Sequence, residues 1–406
     1  MCQLITVLLL LCVHYIDVIG SAHINDIKHT IDHIIDSSQL TQPRSTVNGL
    51  IQGYITSDNT VESYLGIPFA QPPINTNRFK PPQPLSVWNN IKQTIHIPSA
   101  CPQLRINNEL YYGNEDCLYL NVYTPHNCTS NELLPVLVFL YGGAFVLGDS
   151  YSLGLYSGEQ LVKLHNIIVV TLNYRLGALG FLALDELGAE SDNPSHSIGN
   201  MAMLDQITAL QWIQSNIHSF NGDPARVTLA GESAGAFSVC FHLASPLSAG
   251  LFSSAIMESG SCDATSFFLD KEQSIQHSHH IAKRVGCDVS SEKLLDCLRS
   301  VDVDILLDYG DDDKSHHDKQ TIALMRLVSK LGDGIVPNHN YLSFHHIAPW
   351  LTTTTATQHY FGPTVDHVVL HDIPLHVIKS GKFNAVPMLA GYNKDEGSLF
   401  VCTPIM

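Results

Sequence analysis

The chain predicts an α/β fold with a doubly wound, mostly parallel sheet and helices on both faces. Three observations carry that reading. Short apolar runs bounded by polar residues, at Pro135 to Leu140, Asn166 to Leu172, Val227 to Ala230 and Phe252 to Met257, read as strands buried on both faces. Between the second and third, Leu204, Ile207, Leu210, Ile213 and Ile217 recur every three or four residues, giving the apolar face of a helix that begins near Asn200. The third run passes through Gly231-Glu232-Ser233-Ala234-Gly235 directly into another helix, so strand and helix alternate as such a sheet requires.

Composition bounds the rest. With 406 residues, 45 % hydrophobic and only 15 % charged, the chain can bury a large core and reads as one large domain. Residues 1–22 hold an apolar stretch, Leu4 to Val13, followed by the small residues Gly20, Ser21 and Ala22. This is the pattern of a cleaved signal peptide without a basic start, a short membrane anchor being the alternative. No later segment reaches the ~18 consecutive apolar residues of a spanning helix. Residues 23–45 are polar and aperiodic and read as a variable leader, and the folded domain takes in 46–406. Its first strands run through Gly66-Ile67-Pro68. From Cys262 to Gln358 the alternation breaks down, which predicts cap helices over a pocket and an insertion within 303–360. Strand character returns at Val386 to Ala390, whose C-terminal end delivers Glu396.

The segment around Ser233 carries the chemistry. A GxSxG sequence between a strand and a helix is a sharp turn that lifts its serine hydroxyl clear of the sheet, with glycine at 231 and 235 where side chains would collide with neighbouring backbone. The helix that follows aims its N-terminal amides at the serine, favouring negative charge there. Upstream, the strand ending at Leu140 opens into Tyr141-Gly142-Gly143-Ala144-Phe145, a glycine loop whose backbone can approach a ligand closely. The amides of Gly143 and Ala144, with that of Ala234, form a candidate three-donor oxyanion hole, each donor worth about 3 kcal/mol in acyl transfer.

Five blocks in order, Gly66-Ile67-Pro68-Phe69-Ala70, Glu115-Asp116-Cys117-Leu118-Tyr119-Leu120-Asn121-Val122, Asn173-Tyr174-Arg175-Leu176-Gly177, Asn221-Gly222-Asp223-Pro224 and Gly231-Glu232-Ser233-Ala234-Gly235, resemble the type-B carboxylesterase and cholinesterase family of α/β-hydrolases. The similarity runs from about Thr46 to the end. It implies the α/β-hydrolase fold, Ser233 as nucleophile, Gly143, Ala144 and Ala234 as oxyanion hole, and Glu396, within Asn393-Lys394-Asp395-Glu396-Gly397-Ser398, as the acid of a triad. It also implies two loop disulfides, Cys101 with Cys117 and Cys287 with Cys297. Ala144 stands where many relatives have glycine, yet keeps its N–H. Cys128, Cys240, Cys262 and Cys402 are left unassigned, Cys240 being expected as a buried thiol.

One departure matters. In this family a histidine follows the acid, and here no histidine follows His376. The resemblance therefore implies an α/β-hydrolase domain missing its last C-terminal elements, with the general base among them and an apolar sheet edge left uncovered. None of the 22 histidines substitutes: His277, His279 and His280, His316 with His317, and His345 with His346 read as solvated surface, without the carboxylate or cysteine spacing of a metal site. No cofactor and no metal are implied. A formal net charge of −17 argues against a nucleic-acid partner and tolerates neutral or cationic esters; small carboxylic esters are the substrate class that the resemblance implies. The loop from Cys101 to Cys117 offers Tyr111 and Tyr112 but no tryptophan as an ammonium platform, so choline esters are disfavoured. Asn127-Cys128-Thr129 is a glycosylation sequon, consistent with secretion, and membrane association is expected only through a C-terminal anchor. The expected function is a secreted ester hydrolase acting through a serine acyl-enzyme. The alternative is an inactive adhesion or ligand-binding relative. Arg175 reads as a buried ion-pair partner, and Glu232 either as electrostatic support beside the serine or as a structural carboxylate.

Overall fold

Eight strands form the central sheet of the computed structural model, which describes residues 39–103, 112–127, 132–190, 196–264, 267–307 and 361–394. In chain order they are β1 (Tyr54–Ile55), β2 (Val61–Pro68), β3 (Tyr119–Pro125), β4 (Leu134–Leu140), β5 (Ile168–Leu172), β6 (Gly222–Glu232), β7 (Ser254–Glu258) and β8 (Met388–Gly391). Across the sheet the order is β1-β2-β3-β5-β4-β6-β7-β8. The first three strands meander antiparallel, and β3 pairs antiparallel with β5. From β5 to β8 every pairing is parallel, which requires a crossover between consecutive strands. The sequence reading of a mostly parallel sheet therefore holds for the half that carries Ser233.

The parallel strands are apolar because both faces are covered, and all five residues of β5 are buried. Asn166, read as the start of that strand, instead caps the preceding helix α1 (Glu159–His165) at φ 52°, a left-handed conformation that asparagine tolerates. Helix α2 (Met201–Asn216) links β5 to β6, and helix α3 (Ala234–Ala244) links β6 to β7. The apolar positions read from the sequence of α2 are all buried, but so are Asp205 and Gln206 on its other side. The helix is sandwiched rather than amphipathic. Polar groups in such a place need partners, and both have them.

Asp205 holds Arg175. The guanidinium donates from Nε to Oδ2 at 2.8 Å and from Nη2 to Oδ1 at 2.7 Å, and the Arg175 amide adds a third bond to Oδ2 at 3.1 Å. Nη1 donates to the carbonyl of Lys80 at 2.8 Å, so Arg175 is the buried ion-pair partner read from the sequence. Beyond α3, helices α4 (Lys271–Arg284) and α5 (Leu294–Ser300) interrupt the alternation, and Leu269–Asp270 pairs parallel with Thr364–Val365. His277 differs from the expected solvated surface: it is half-buried on α4, its ring 5.0 Å from that of Phe361 in an edge contact. The other expected surface pairs, His316 with His317 and His345 with His346, lie outside the described residues, as does most of the expected 303–360 insertion.

Strand β8 is the outer strand at this end of the sheet and exposes Met388 (55 %) and Leu389 (66 %). Among the described residues nothing pairs with its free edge.

The Arg175–Asp205 pair yields a test. Removing one member of a buried, fully bonded ion pair leaves the other charged and unpaired, at a cost of about 3–5 kcal/mol, whereas exchanging both for apolar residues of similar volume is close to neutral. Urea unfolding should show Asp205→Ala losing stability in that range and Arg175→Met/Asp205→Leu losing far less. A loss below about 1 kcal/mol for Asp205→Ala would contradict the account.

Candidate active site

Ser233 sits between the end of β6 and the first residue of α3 with φ 54° and ψ −119°, a backbone state that a residue with a side chain adopts only under constraint. The constraint is visible on both sides. Its amide donates to the carbonyl of Glu258 on β7 at 2.9 Å, and its carbonyl accepts the amide of Phe237 at 3.0 Å as α3 begins. The turn is so tight that a Cβ on Gly231 would lie 2.4 Å from the carbonyl carbon of Gly235. A Cβ on Gly235 would lie 2.0 Å from the carbonyl oxygen of Leu140. Glycine at both positions follows from backbone proximity.

The glycine loop after β4 lies directly against this turn. A Cβ on Gly142 would lie 3.0 Å from Cβ of Ser233, 2.9 Å from the Glu232 carbonyl oxygen and 2.7 Å from its Oε2. Gly143 at φ 117°, Ala144 at φ 54° and Phe145 at φ 62° are three successive loop residues at positive φ. Among the described residues no carbonyl accepts the Gly143 or Ala144 amide, whereas the Gly143 carbonyl accepts from Val146 and Leu147. Ala234 is the first residue of α3, where helix amides lack intrahelical partners. Ala234 thus stands beside Ser233 at the helix start, and Gly143 and Ala144 follow Gly142 on the loop that touches the serine turn.

Side chains outside the serine turn hold the loop in place. Tyr141 and Tyr174 stack with ring centroids 4.4 Å apart, and each hydroxyl donates to the other residue's carbonyl, at 3.1 and 2.8 Å. Gln103 accepts the Gly148 amide on Oε1 and donates to the Gly148 carbonyl from Nε2, both at 2.8 Å. Tyr112 donates to the same Oε1 at 2.9 Å, so the loop closed by Cys101–Cys117 buttresses the glycine loop. Asn173 accepts the Ser150 amide at 2.8 Å and donates to the carbonyls of Ser99 and Cys117. Asn121 accepts the Gly66 amide at 2.9 Å and donates to Ser150 and Thr171. Motif residues Asn121 and Asn173 thus join backbone segments that are distant in sequence. Gln103 stands in no motif, and only its place inside the disulfide loop hinted at a role.

Behind the serine runs a buried polar chain. Ser238 donates to the Ala234 carbonyl at 3.0 Å and accepts Nε2 of Gln206 at 3.1 Å. With that amide orientation Gln206 Oε1 faces Nε2 of His242 at 2.9 Å, which makes this nitrogen the donor and leaves Nδ1 to accept from Ser248 at 2.8 Å. Burial pushes the His242 imidazole down to about 3, so it is a neutral structural group. Glu232 lies beside Tyr156, whose hydroxyl is pushed up to about 12, first by its own burial and then by the Glu232 charge.

Three disulfides join described cysteines. Cys101–Cys117 and Cys287–Cys297 are the pairs implied by the family resemblance. The third corrects the sequence reading: Cys240, expected as a buried thiol, is buried but bonded to Cys262, the Cα atoms 5.5 Å apart. The two lie 22 residues apart, and only the return of the chain along β7 brings them together. Asn127 is exposed at φ 57° in the turn after β3. Glu396, Cys128 and Cys402 lie outside the described residues.

These features define a serine-turn site of the α/β-hydrolase type, and the comparisons agree. A model of the Carboxylesterase family matches residues 37–404. Cholinesterase of Mus musculus is 36 % identical over 387 residues, covering 92 % of this chain and 55 % of the relative. Para-nitrobenzyl esterase of Bacillus subtilis is 37 % identical over 361 residues, covering 88 % and 63 %. Among solved structures, a PNB esterase superposes with a TM-score of 0.67 at 34 % identity, over 90 % of this chain and 66 % of that one. The chain belongs to the carboxylesterase family and has the α/β-hydrolase fold. It spans a little over half the length of these relatives.

Two tests follow. Gly235→Ala forces a methyl group onto the Leu140 carbonyl and should destabilise by several kcal/mol. Gly391→Ala, with nothing within 4 Å, should stay within about 0.5 kcal/mol of the parent in urea titrations. Equal effects would dispose of the backbone argument. The second concerns pH. His242 is neutral when folded and takes up a proton near 6.5 when unfolded, so its contribution is complete above that value. It is lost as pH falls from about 6.5 toward about 3, at about 1.4 kcal/mol per pH unit. Urea midpoints at pH 7, 6 and 5 should fall more steeply for the parent than for His242→Gln; parallel profiles would refute this.

Proposed function

We propose that this chain carries the nucleophile and oxyanion hole of a secreted carboxylic-ester hydrolase. The observation that carries the reading is the approach of the glycine loop to within contact of Ser233, itself held in a strained backbone conformation. In this reading Ser233 Oγ attacks the ester carbonyl, and the carbonyl oxygen, as its charge develops, is held by the amides of Gly143, Ala144 and Ala234. The alcohol then leaves and water releases the acyl group. Glu396 orients the histidine that takes and returns the proton. That histidine belongs after Glu396 in the family order, and no residue of this sequence fills the position. Support for the acid comes from Gly391, five residues before Glu396, whose carbonyl accepts the Ser259 amide at 2.8 Å, next to the Glu258 that holds Ser233.

Choline esters are the disfavoured substrates in this reading. The loop closed by Cys101–Cys117 has no tryptophan to receive an ammonium group, and Tyr112 directs its hydroxyl to Gln103. Secretion and glycosylation at Asn127 are supported by that residue's exposure and by disulfides, which persist in oxidising compartments. No described helix is long and apolar enough to cross a membrane.

Fluorophosphonate labelling with peptide mapping tests the reading. In a form of the protein that carries a histidine after Glu396, Ser233 should be labelled and p-nitrophenyl acetate hydrolysed, with Ser233→Ala lowering turnover on the order of a millionfold. Labelling at another residue, or none in the longer form, would turn the reading toward the ligand-binding alternative.

A further inference from the structure

We propose that the Cys240–Cys262 disulfide is a positioning element for Ser233, a clamp that keeps the serine turn in its strained conformation. The inference rests on Ser233 being the reactive residue. It concerns a crosslink that no sequence pattern pointed to.

The clamp can be traced residue by residue. Ser233 is held through its amide by the Glu258 carbonyl at 2.9 Å. Two residues on, Gly260 passes so close that a Cβ there would lie 3.0 Å from the Ser233 carbonyl oxygen and 2.7 Å from Cβ of Ala236. Residues 258–260 therefore grip Ser233 from both ends of its own backbone unit. Ser259, between them, is itself at φ 54°. Such a segment resists relaxation only if its far end is fixed, because a non-glycine residue in a sparsely populated conformation relaxes unless its surroundings over-determine it. Cys262 is that far end. It is bonded to Cys240 on α3, the helix that starts at the serine turn, and both cysteines are buried. Covalent and hydrogen bonds then form one closed circuit: Ser233 along α3 to Cys240, across to Cys262, back through Gly260 to Glu258, and onto the Ser233 amide. Phe267 extends the contact, stacking on Phe237 of the same helix with centroids 4.2 Å apart. Cys101–Cys117 and Cys287–Cys297 each close a loop of their own and enter no such circuit.

The experiment compares the full chain with Cys240→Ala/Cys262→Ala and with Cys287→Ala/Cys297→Ala as a crosslink-loss control. Three quantities are read: melting temperature, hydrogen exchange of the peptide spanning residues 231–237, and the rate constant of fluorophosphonate labelling. The clamp predicts exchange at least tenfold faster in 231–237, and labelling at least tenfold slower, only when the 240–262 pair is removed. The control variant should lower the melting temperature without touching either. Exchange in 231–237 within twofold of the parent after loss of Cys240 and Cys262 overturns the proposal. If that variant does not fold, the same exchange is read on the parent protein after partial reduction, with the opened pair mapped by alkylation. Exchange reports on the clamp whether or not the serine reacts. A parent chain whose exchange responds but whose Ser233 is labelled in no form leaves the clamp standing and removes the hydrolase reading.

Discussion

The site depends on a close approach of three stretches of backbone. Gly231, Gly235 and the Leu140 carbonyl come together where two parallel strands and a helix meet, with separations that no side chain could enter. Because β4 and β6 are neighbours in the sheet and α3 leaves from the end of β6, the loop after β4 has one place to go. It lies across the serine turn. The geometry of Ser233 is thus imposed by sheet register and by two glycines rather than by contacts of its own side chain, and its unfavourable dihedral angles are sustained by neighbouring elements.

What surrounds that meeting point is a set of side chains that leave little of the backbone free to shift. Asn121 and Asn173 tie the glycine loop to β2, β3 and β5, Gln103 grips both polar groups of Gly148, and the two tyrosines exchange hydrogen bonds across a stacked pair. On the opposite side of α3 the polar chain from Ser238 to Ser248 is satisfied at every link. Preorganised donors act on a developing negative charge because they need no reorganisation when it appears. In this fold that rigidity is supplied by amide side chains and aromatic hydroxyls in the interior, with no cofactor in the proposed chemistry.

The parts legible in the sequence were those whose cause is local. A GxSxG turn, a glycine loop after an apolar run, and strands without alternation each leave a pattern within a dozen residues. Strand positions at 134–140, 168–172 and 254–258 fell within a few residues of the expectation. Asn166 departs from the expected strand start because an asparagine that caps a helix resembles one that precedes a strand until its dihedral angles are known. The Cys240–Cys262 bond, the Gln206–His242 contact and the Arg175–Asp205 pair span 22, 36 and 30 residues and arise only from the crossing of elements. Arg175 could be read as buried and paired, yet its partner could not be named. The antiparallel first half of the sheet was also hidden, since a strand covered on both faces has the same apolar run whichever way its neighbours point.

The central claim is that the peptide bonds of the glycine loop and of the helix start were arranged around Ser233 to receive an oxyanion. A crystal structure of the protein phosphonylated by a fluorophosphonate tests this most directly, because the phosphoryl oxygen occupies the position of the carbonyl oxygen at the tetrahedral stage. The account predicts that this oxygen lies about 2.7–3.1 Å from the amide nitrogens of Gly143, Ala144 and Ala234. An adduct on Ser233 whose oxygen points into solvent, or is held by side chains alone, would contradict it.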